Sequence, residues 1–300
     1  MTSAISLPLR FQVGARTVLS VRRRLVRTGL SLGEAMRGES FETPRLNPAD
    51  HGYLITSLRE DRLAAITAQH PGMLALVRQR YSRRYADMSG SYDAYLATFS
   101  GKSRSTLRRK VRKFAKISGG ELDIRIYQSP EEMAEFQTLA RCVSAKTYQE
   151  KLLDAGLPDD PEYKAQMMRA AARGEARAWL LFVQNKPVSY LYAPADGDTL
   201  IYAYLGYDPE WARHSPGTVL QIEAMKQIIE EGRFRRFDFT EGDGQHKRLF
   251  ATDGIACVDL LLLRKTAGNY LLAGALAAFD RGVDFAKRLG LRKWVRRFSR

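Results

Sequence analysis

The order of elements predicts an α/β protein whose central sheet is mixed and mostly antiparallel, flanked by helices. Three observations carry this expectation. From residue 122 onward the chain reads strand, helices, two or three hairpin-linked strands, helix, strand, polar loop, strand, which is an antiparallel meander running into a βαβ unit. Residues 200–205, LIYAYL, alternate in a strand-like way, with Tyr202 and Tyr204 on one face and Ile201 and Ala203 on the other. Directly after them Ser215-Pro216-Gly217 opens a helix: Ser215 suits the N-cap, and Pro216 the first helical position, where a missing N–H costs nothing. A strand leading into a helix with unsatisfied N–H groups is a phosphate site in outline.

The elements follow in chain order. Residues 11–30 alternate in places and suggest a strand pair turning near Gly14. Pro48, Asp50 and Gly52 mark 46–54 as loop. Helices are expected over 58–69, before Pro71-Gly72, and over 73–85, which carries four arginines. A short helix is expected at 91–99. Next comes KSRSTLRRKVRKFAK at 102–116, where Leu107, Val111 and Phe114 make one narrow apolar stripe on an otherwise basic helix. Gly119-Gly120 ends it. Residues 122–127 alternate as a strand, and Ser129-Pro130-Glu131-Glu132 starts a helix with acids in its first turn. Residues 146–161 are polar and broken, 162–173 helical, and Gly174 a stop. Strands are expected at 176–184 and 187–192, with Asn185-Lys186 as a tight turn between them, and Asp196-Gly197-Asp198 turns the chain into 200–205. Val219, Ile222, Met225 and Ile229 give the helix after Pro216 one apolar face, and Gly232 ends it. A strand at 236–239, a polar loop at 240–247, a strand at 256–263 and an Ala/Leu-rich helix after Lys265 complete the reading. Three regions result: 1–90, 91–265 and a basic amphipathic tail at 266–300.

Three hundred residues with 45% hydrophobic content can bury a sizeable core. The formal charge is +15. Eight basic residues and no acid lie within 102–116; eight more, against Asp284 alone, lie within 281–300. Those two segments hold the whole excess, so the charge sits in patches suited to nucleic acid, an anionic membrane surface or a phosphorylated substrate. Two distant cysteines, Cys142 and Cys257, make no disulfide framework and fit a reducing cytoplasm. No Cys/His spacing suggests zinc, no apolar run approaches the ~20 residues of a membrane span, and arginines interrupt any secretory segment at the start.

Three quoted stretches, SRSTLRRKVRK at 103–113, GYDPEWARHSPGTVL at 206–220 and FDFTEGDGQHKRLF at 237–250, resemble the GNAT superfamily of acyl-CoA-dependent N-acyltransferases. Within it they are similar to the branch associated with cellulose and exopolysaccharide biosynthesis, CelD/BcsL-like. The late motif also looks like that of the Fem-type peptidyltransferases, which share the fold and use aminoacyl-tRNA. The resemblance is good over 92–263 and weak before 85, so 1–90 is read either as a reduced first half of a tandem GNAT or as an appendage. Where the family has Q/R-x-x-G-x-G/A, this chain has Arg213-His214-Ser215-Pro216-Gly217-Thr218, with one glycine. That departure bears on how firmly CoA is held.

The resemblance implies acetyl-CoA or another acyl-CoA as donor, lying between 200–205 and 236–239, with no metal. Backbone near Tyr204 and Leu205 would hold pantetheine, and the N–H groups of Gly217, Thr218 and Val219 would face the pyrophosphate beside Ser215 and Arg213. A plain helix start on the surface is the alternative. Acyl transfer needs a base for the nucleophile and donors for the oxyanion. Glu241, His246 and Lys247 form the expected substrate-side cluster, with Asp238 and His214 as further base candidates and Tyr204 as proton donor to the leaving thiolate. Ordinary strand, loop and core roles stand against each: pairing with Arg235 or Arg236 for Asp238, solubility for Glu241 and Asp243, core packing for Tyr204 and Cys257. The expected reaction is acyl transfer to an amine or hydroxyl of a sugar or polysaccharide precursor, in the cytoplasm or at the inner membrane face. The tail, with Phe285, Leu289, Trp294 and Phe298, is read either as contacting an anionic membrane or as packing on the body. Two further readings stay open: transfer from aminoacyl-tRNA, and a non-catalytic scaffold that binds polyanions or membranes.

Overall fold

The computed structural model describes residues 4–13, 16–39, 42–147, 156–242 and 244–288. The chain forms two compact units, 1–82 with 255–300, and 83–254. These divisions differ from the expected 1–90, 91–265 and 266–300; the last helix belongs with the N-terminal residues.

In the first unit β1 (Ile5–Val13) and β2 (Arg16–Gly29) form an antiparallel hairpin, the expected strand pair begun earlier. A one-turn helix α1 (Leu32–Arg37) is held by a capping box of Ser31 and Glu34. β3 (Gly52–Arg59) runs parallel to β2 and antiparallel to β11 (Asp253–Arg264). The helix expected at 58–69 is shorter, α2 (Leu63–Gln69) after a 3₁₀ turn at Glu60–Arg62. The segment expected as helix at 73–85 is a strand, β4 (Met73–Asp87), whose C-terminal end lies in the second unit. It opens on a continuous apolar run that packs on both faces, Met73 and Val77 in one core cluster and Leu74 and Leu76 in another, and that burial outweighs the helical propensity of its arginines. The final helix α9 (Ala267–Arg288) buries Leu272 and Leu276 against Leu9, Phe11, Leu25, Leu261 and Leu263. Arg78 holds Asp280 at 2.8 Å. Phe285 is exposed. Leu289, Trp294 and Phe298, named for the tail, lie outside the described residues, as do Gly14 and Asp243.

The second unit holds the sheet that positions the site. Its order is β4, β10 (Arg236–Asp238), β8 (Thr199–Ile201), β7 (Lys186–Asp196), β6 (Ala176–Val183) and β5 (Asp123–Tyr127), with β9 (Tyr204–Tyr207) also on β7. Among the described residues of this unit β8 and β10 pair in parallel and the other pairings given are antiparallel, as expected of a mixed sheet. Gln184 and Asn185, both at positive φ, make the tight turn between β6 and β7. All eight residues of β6 are buried because helices cover both faces. Trp179, Leu181 and Val183 face the core shared with α3 (Tyr92–Ala97), α4 (Gly101–Ile117) and α7 (Pro216–Glu231). Ala178, Leu180 and Phe182 face α5 (Pro130–Ser144) and α6 (Pro161–Ala172), through Met133, Phe136 and Met167. The end of the expected polar loop is a helical turn, α8 (Gln245–Phe250), which Phe250 anchors in the core. Among the described residues no helix is long and apolar enough to cross a membrane.

A candidate active-site cleft at a split strand

The sequence at 200–205 reads as one strand, but the backbone divides it. β8 pairs Leu200 with Phe237 and Ile201 with Asp238 on β10, and the last bond on that side is Tyr202 N–H to the Asp238 carbonyl at 2.8 Å. The next residue turns to β7, with Ala203 N–H donating to the Tyr192 carbonyl at 3.3 Å. β9 continues on β7 alone, from Tyr204↔Tyr192 to Tyr207↔Ser189. The chain therefore splays away from β10, and the gap is a cavity of about 620 Å³. Ile201 through Leu205 form one wall, and Tyr190, Thr240 and Glu241 complete it, with Gly156 and Pro158 at one side. Gly206 keeps β9 close to β7: a Cβ there would lie 2.4 Å from the Tyr190 ring.

Two expected residues line this cavity on the reacting side. Tyr204 packs edge-on against Tyr163, ring centroids 5.8 Å apart, and Tyr163 packs edge-on against Tyr192 at 6.4 Å. Burial raises the Tyr163 phenol well above its usual range, reinforced by Tyr204 and Tyr192, and burial pushes Tyr192 up to about 12. The Tyr163 and Tyr192 phenols therefore stay protonated near pH 7. Glu241 is exposed at the cavity rim.

The other expected catalytic residues build the wall behind. Asp238 is fully buried and its carboxylate is taken up by Arg83, with Nη2–Oδ2 at 2.6 Å and Nε–Oδ2 at 3.1 Å. Thr240 N–H also donates to Oδ1 at 2.8 Å. This partner differs from the Arg235 or Arg236 pairing weighed from the sequence; Arg236 instead holds Asp198 at 3.0 Å. With both oxygens engaged, Asp238 anchors the turn that carries Glu241. Lys247 caps the same turn, donating to the Glu241 carbonyl and lying 3.4 Å from Thr240 Oγ1. Burial lowers its ammonium, and Asp238 and Glu241 oppose that shift. His246 sits in an aromatic cage of Phe250, Tyr202 and Phe239, centroids 5.0, 5.7 and 6.5 Å away. Its buried Nε2 has no hydrogen-bond partner among the described residues, and burial, then Lys247 and Lys110, lower the ring to about 4. His246 is thus a neutral imidazole near pH 7, outside the cavity lining.

At the expected donor end, Leu205 reaches the start of α7, where a Cβ on Gly217 would meet Leu205 Cδ2 at 2.9 Å. The helix start departs from the expected cap. Ser215 is left-handed, φ 56°, and its side chain makes no capping bond. The 3₁₀ turn at Pro209–His214 delivers the chain in that conformation, with Ser215 N–H bonded to the Ala212 carbonyl at 3.0 Å. Of the three N–H groups expected to face phosphate, Thr218 and Val219 donate to the Ser215 carbonyl at 3.0 and 3.1 Å. Pro216 has none to offer, so Gly217 alone keeps a backbone N–H without a backbone acceptor among the described residues. Side chains add charge: Arg213 Nε meets His214 Nε2 at 2.9 Å, and burial, Arg213 and Lys113 together lower the His214 ring.

Arg83, Thr240, Tyr163 and Tyr190 are site residues that sequence reasoning missed. Arg83 lay in a segment read as helix. An arginine alternating with tyrosines, as in Tyr81 to Tyr85, was the available signal that a strand buries a cation and requires an acid across the ladder.

Residues 101–248 match the family model described as acetyltransferase (GNAT) domain. No functionally curated protein matches the chain. Among solved structures, a crystal structure of FemX is 12% identical, with 90% of each chain covered and a TM-score of 0.52. The C-terminal domain of a putative lysylphosphatidylglycerol synthetase from Agrobacterium fabrum is 13% identical, covering 82% of this chain and 74% of its own, at a TM-score of 0.49. A GCN5-related N-acetyltransferase from Kribbella flavida is 15% identical over 73% and 70% of the two chains, at 0.36. The chain has a GNAT-type acyltransferase fold.

Proposed function

We propose that the second unit transfers an acyl group from an acyl-CoA to an amine or hydroxyl of a sugar- or polysaccharide-related acceptor. The observation that carries this reading is the splayed pair β9 and β10, which opens a cavity lined by both a phenol and a carboxylate. In such a gap an extended thiol ester can lie along the unpaired edge of β9 as an extra strand would. The acceptor nitrogen or oxygen attacks the thioester carbonyl, and the tetrahedral adduct collapses by breaking the carbon–sulfur bond. Glu241 takes the proton that the acceptor loses, directly or through one water, and the Tyr204 hydroxyl supplies one to the leaving thiolate. Lys247 and the Asp238–Arg83 pair hold the Glu241 turn. The sugar-related acceptor rests on the CelD/BcsL-like motifs alone. Isothermal titration of the whole chain with acetyl-CoA and longer acyl-CoAs tests the donor. Saturable binding is expected, and no heat at millimolar ligand overturns it.

A second reading has its own support. Backbone N–H donors at 215–219 are mostly engaged, and α4 carries eight basic residues that make no ion pair among the described residues. Both features suit a donor whose phosphates are met by side chains, as in transfer from aminoacyl-tRNA. Filter binding of tRNA across a salt series separates the readings: a steep slope with no CoA binding favours this one.

A further inference from the structure

A groove of about 700 Å³ lies away from the cleft, between α3, α4 and the middle of α7. One wall is a row of arginines, Arg104, Arg108 and Arg112, four residues apart on α4 and so on one side of the helix. Lys226 on α7 faces the same space, along with two acids, Asp93 and Glu223. The buried Leu107 and Ile222 and the half-buried Tyr92 line it as well.

Among the described residues the charges lining this groove form no ion pair with one another. Arg108, Arg112, Asp93 and Glu223 make no ion pair or hydrogen bond among the described residues; Arg104 reaches only the Ala97 carbonyl at 3.4 Å, and Lys226 only Glu230 on its own helix at 3.8 Å. Three aligned arginines repel one another and cost a helix a few tenths of a kcal/mol per pair. Asp93 and Glu223 line the same groove without pairing with these arginines, and its volume of about 700 Å³ is room for an anion. Burial raises the Glu223 carboxyl against the pull of Lys226, and Tyr92 is pushed up to about 12 by burial and Glu223.

We propose that this groove binds a phosphorylated small molecule of nucleotide size, with its phosphates on Arg104, Arg108 and Arg112 and its planar part against Tyr92. Arginine forks bind phosphate oxygens in pairs, and the phenol ring offers a stacking surface. Glu223 faces a hydroxyl of the guest. The site is independent of the acyl-transfer reading, because none of its residues lines the cleft.

The test is a titration of the full chain with a fluorescent ADP analogue and with inorganic pyrophosphate, beside co-sedimentation with phosphatidylglycerol and phosphatidylcholine vesicles. Saturable binding is expected, weakened about tenfold or more by R108E or R112E and less than about twofold by R109E, which reverses a charge on the same helix outside the groove. Melting temperatures report that the variants fold. Binding to phosphatidylglycerol vesicles with neither small-molecule probe bound overturns the proposal and assigns the arginine row to a lipid surface. Equal losses from R109E and R108E overturn the proposal, since the helix then acts as a diffuse cation. So does loss in Gly217→Val with none in R108E, which places the probe in the cleft. Absence of binding to every probe at millimolar concentration also overturns it.

Discussion

Arg83 and Asp238 form a two-pronged ion pair inside the second unit, with Nη2 2.6 Å and Nε 3.1 Å from the same carboxylate oxygen, and both side chains nearly or wholly excluded from solvent. The pair joins the end of β4 to the end of β10, where the cleft wall begins. Removing one partner strands the other's charge in the interior. Arg83→Met or Asp238→Ala is expected to lower stability by about 3–5 kcal/mol, while Arg83→Met with Asp238→Leu costs less than either alone. Urea unfolding of the three variants measures this, and a double variant as unstable as the sum of the singles contradicts it.

Gly206 sits where a methyl group would meet the Tyr190 ring at 2.4 Å. Gly206→Ala therefore forces β9 from β7 or turns the ring into the cavity. About 1–3 kcal/mol of destabilisation is expected, with weaker donor binding. Gly206→Ala with Tyr190→Leu should recover part of both, read by thermal melting and titration.

His246 gives the fold a pH dependence of definite sign. Its ring is lowered from 6.5 to about 4 in the folded chain, so the unfolded chain binds the extra proton first. Stability from this group is complete above pH 6.5 and is lost as pH falls toward 4, by up to about 3 kcal/mol. His70 and His214 are also lowered by burial and add to the same slope. His246→Phe fits the aromatic cage and should flatten the change in unfolding midpoint between pH 7 and pH 4.5. An unchanged slope means the ring is solvated.

Ser215 and Pro216 set the donor end. A left-handed serine costs about 1 kcal/mol relative to glycine, so Ser215→Gly should raise stability by up to that amount. Pro216→Ala restores one N–H at the helix start. If donor phosphates sit there, CoA affinity rises by up to about tenfold, and calorimetry reads it. Unchanged affinity places the phosphates elsewhere.

Tyr204 and Glu241 should separate in kinetics. Tyr204→Phe removes the proton for the thiolate and is expected to lower kcat by about a hundredfold with little change in donor KM; Glu241→Gln should lower kcat similarly, with the loss falling on acceptors whose attacking group must be deprotonated. Wild-type rates in both variants assign the chemistry to other groups.

Most of the second unit was legible in the sequence because its signals are local. The stop at Gly174, the turn at Asn185, the start at Ser129-Pro130 and the stop at Gly232 each depend on a few neighbouring residues. β4 was not legible: an arginine-rich segment reads as helix until its neighbours in a sheet are known. The break between Ile201 and Tyr204 escaped detection for a related reason. Alternation continues through it, and only the choice of partner, β10 before and β7 after, divides the strand.

The sequence by itself determined the class of fold, the succession of elements and the uncompensated charge of 102–116, because periodicity, turn residues and formal charge are properties of the chain alone. Tertiary structure decided which polar groups are spent and which remain. Asp238 is held by Arg83, the N–H groups of Thr218 and Val219 by the Ser215 carbonyl, and His246 by a cage of rings. Tyr204 and Glu241 face a cavity. Burial and hydrogen bonding depend on residues distant in sequence, and those two quantities determine what a carboxylate, a phenol or an imidazole can do.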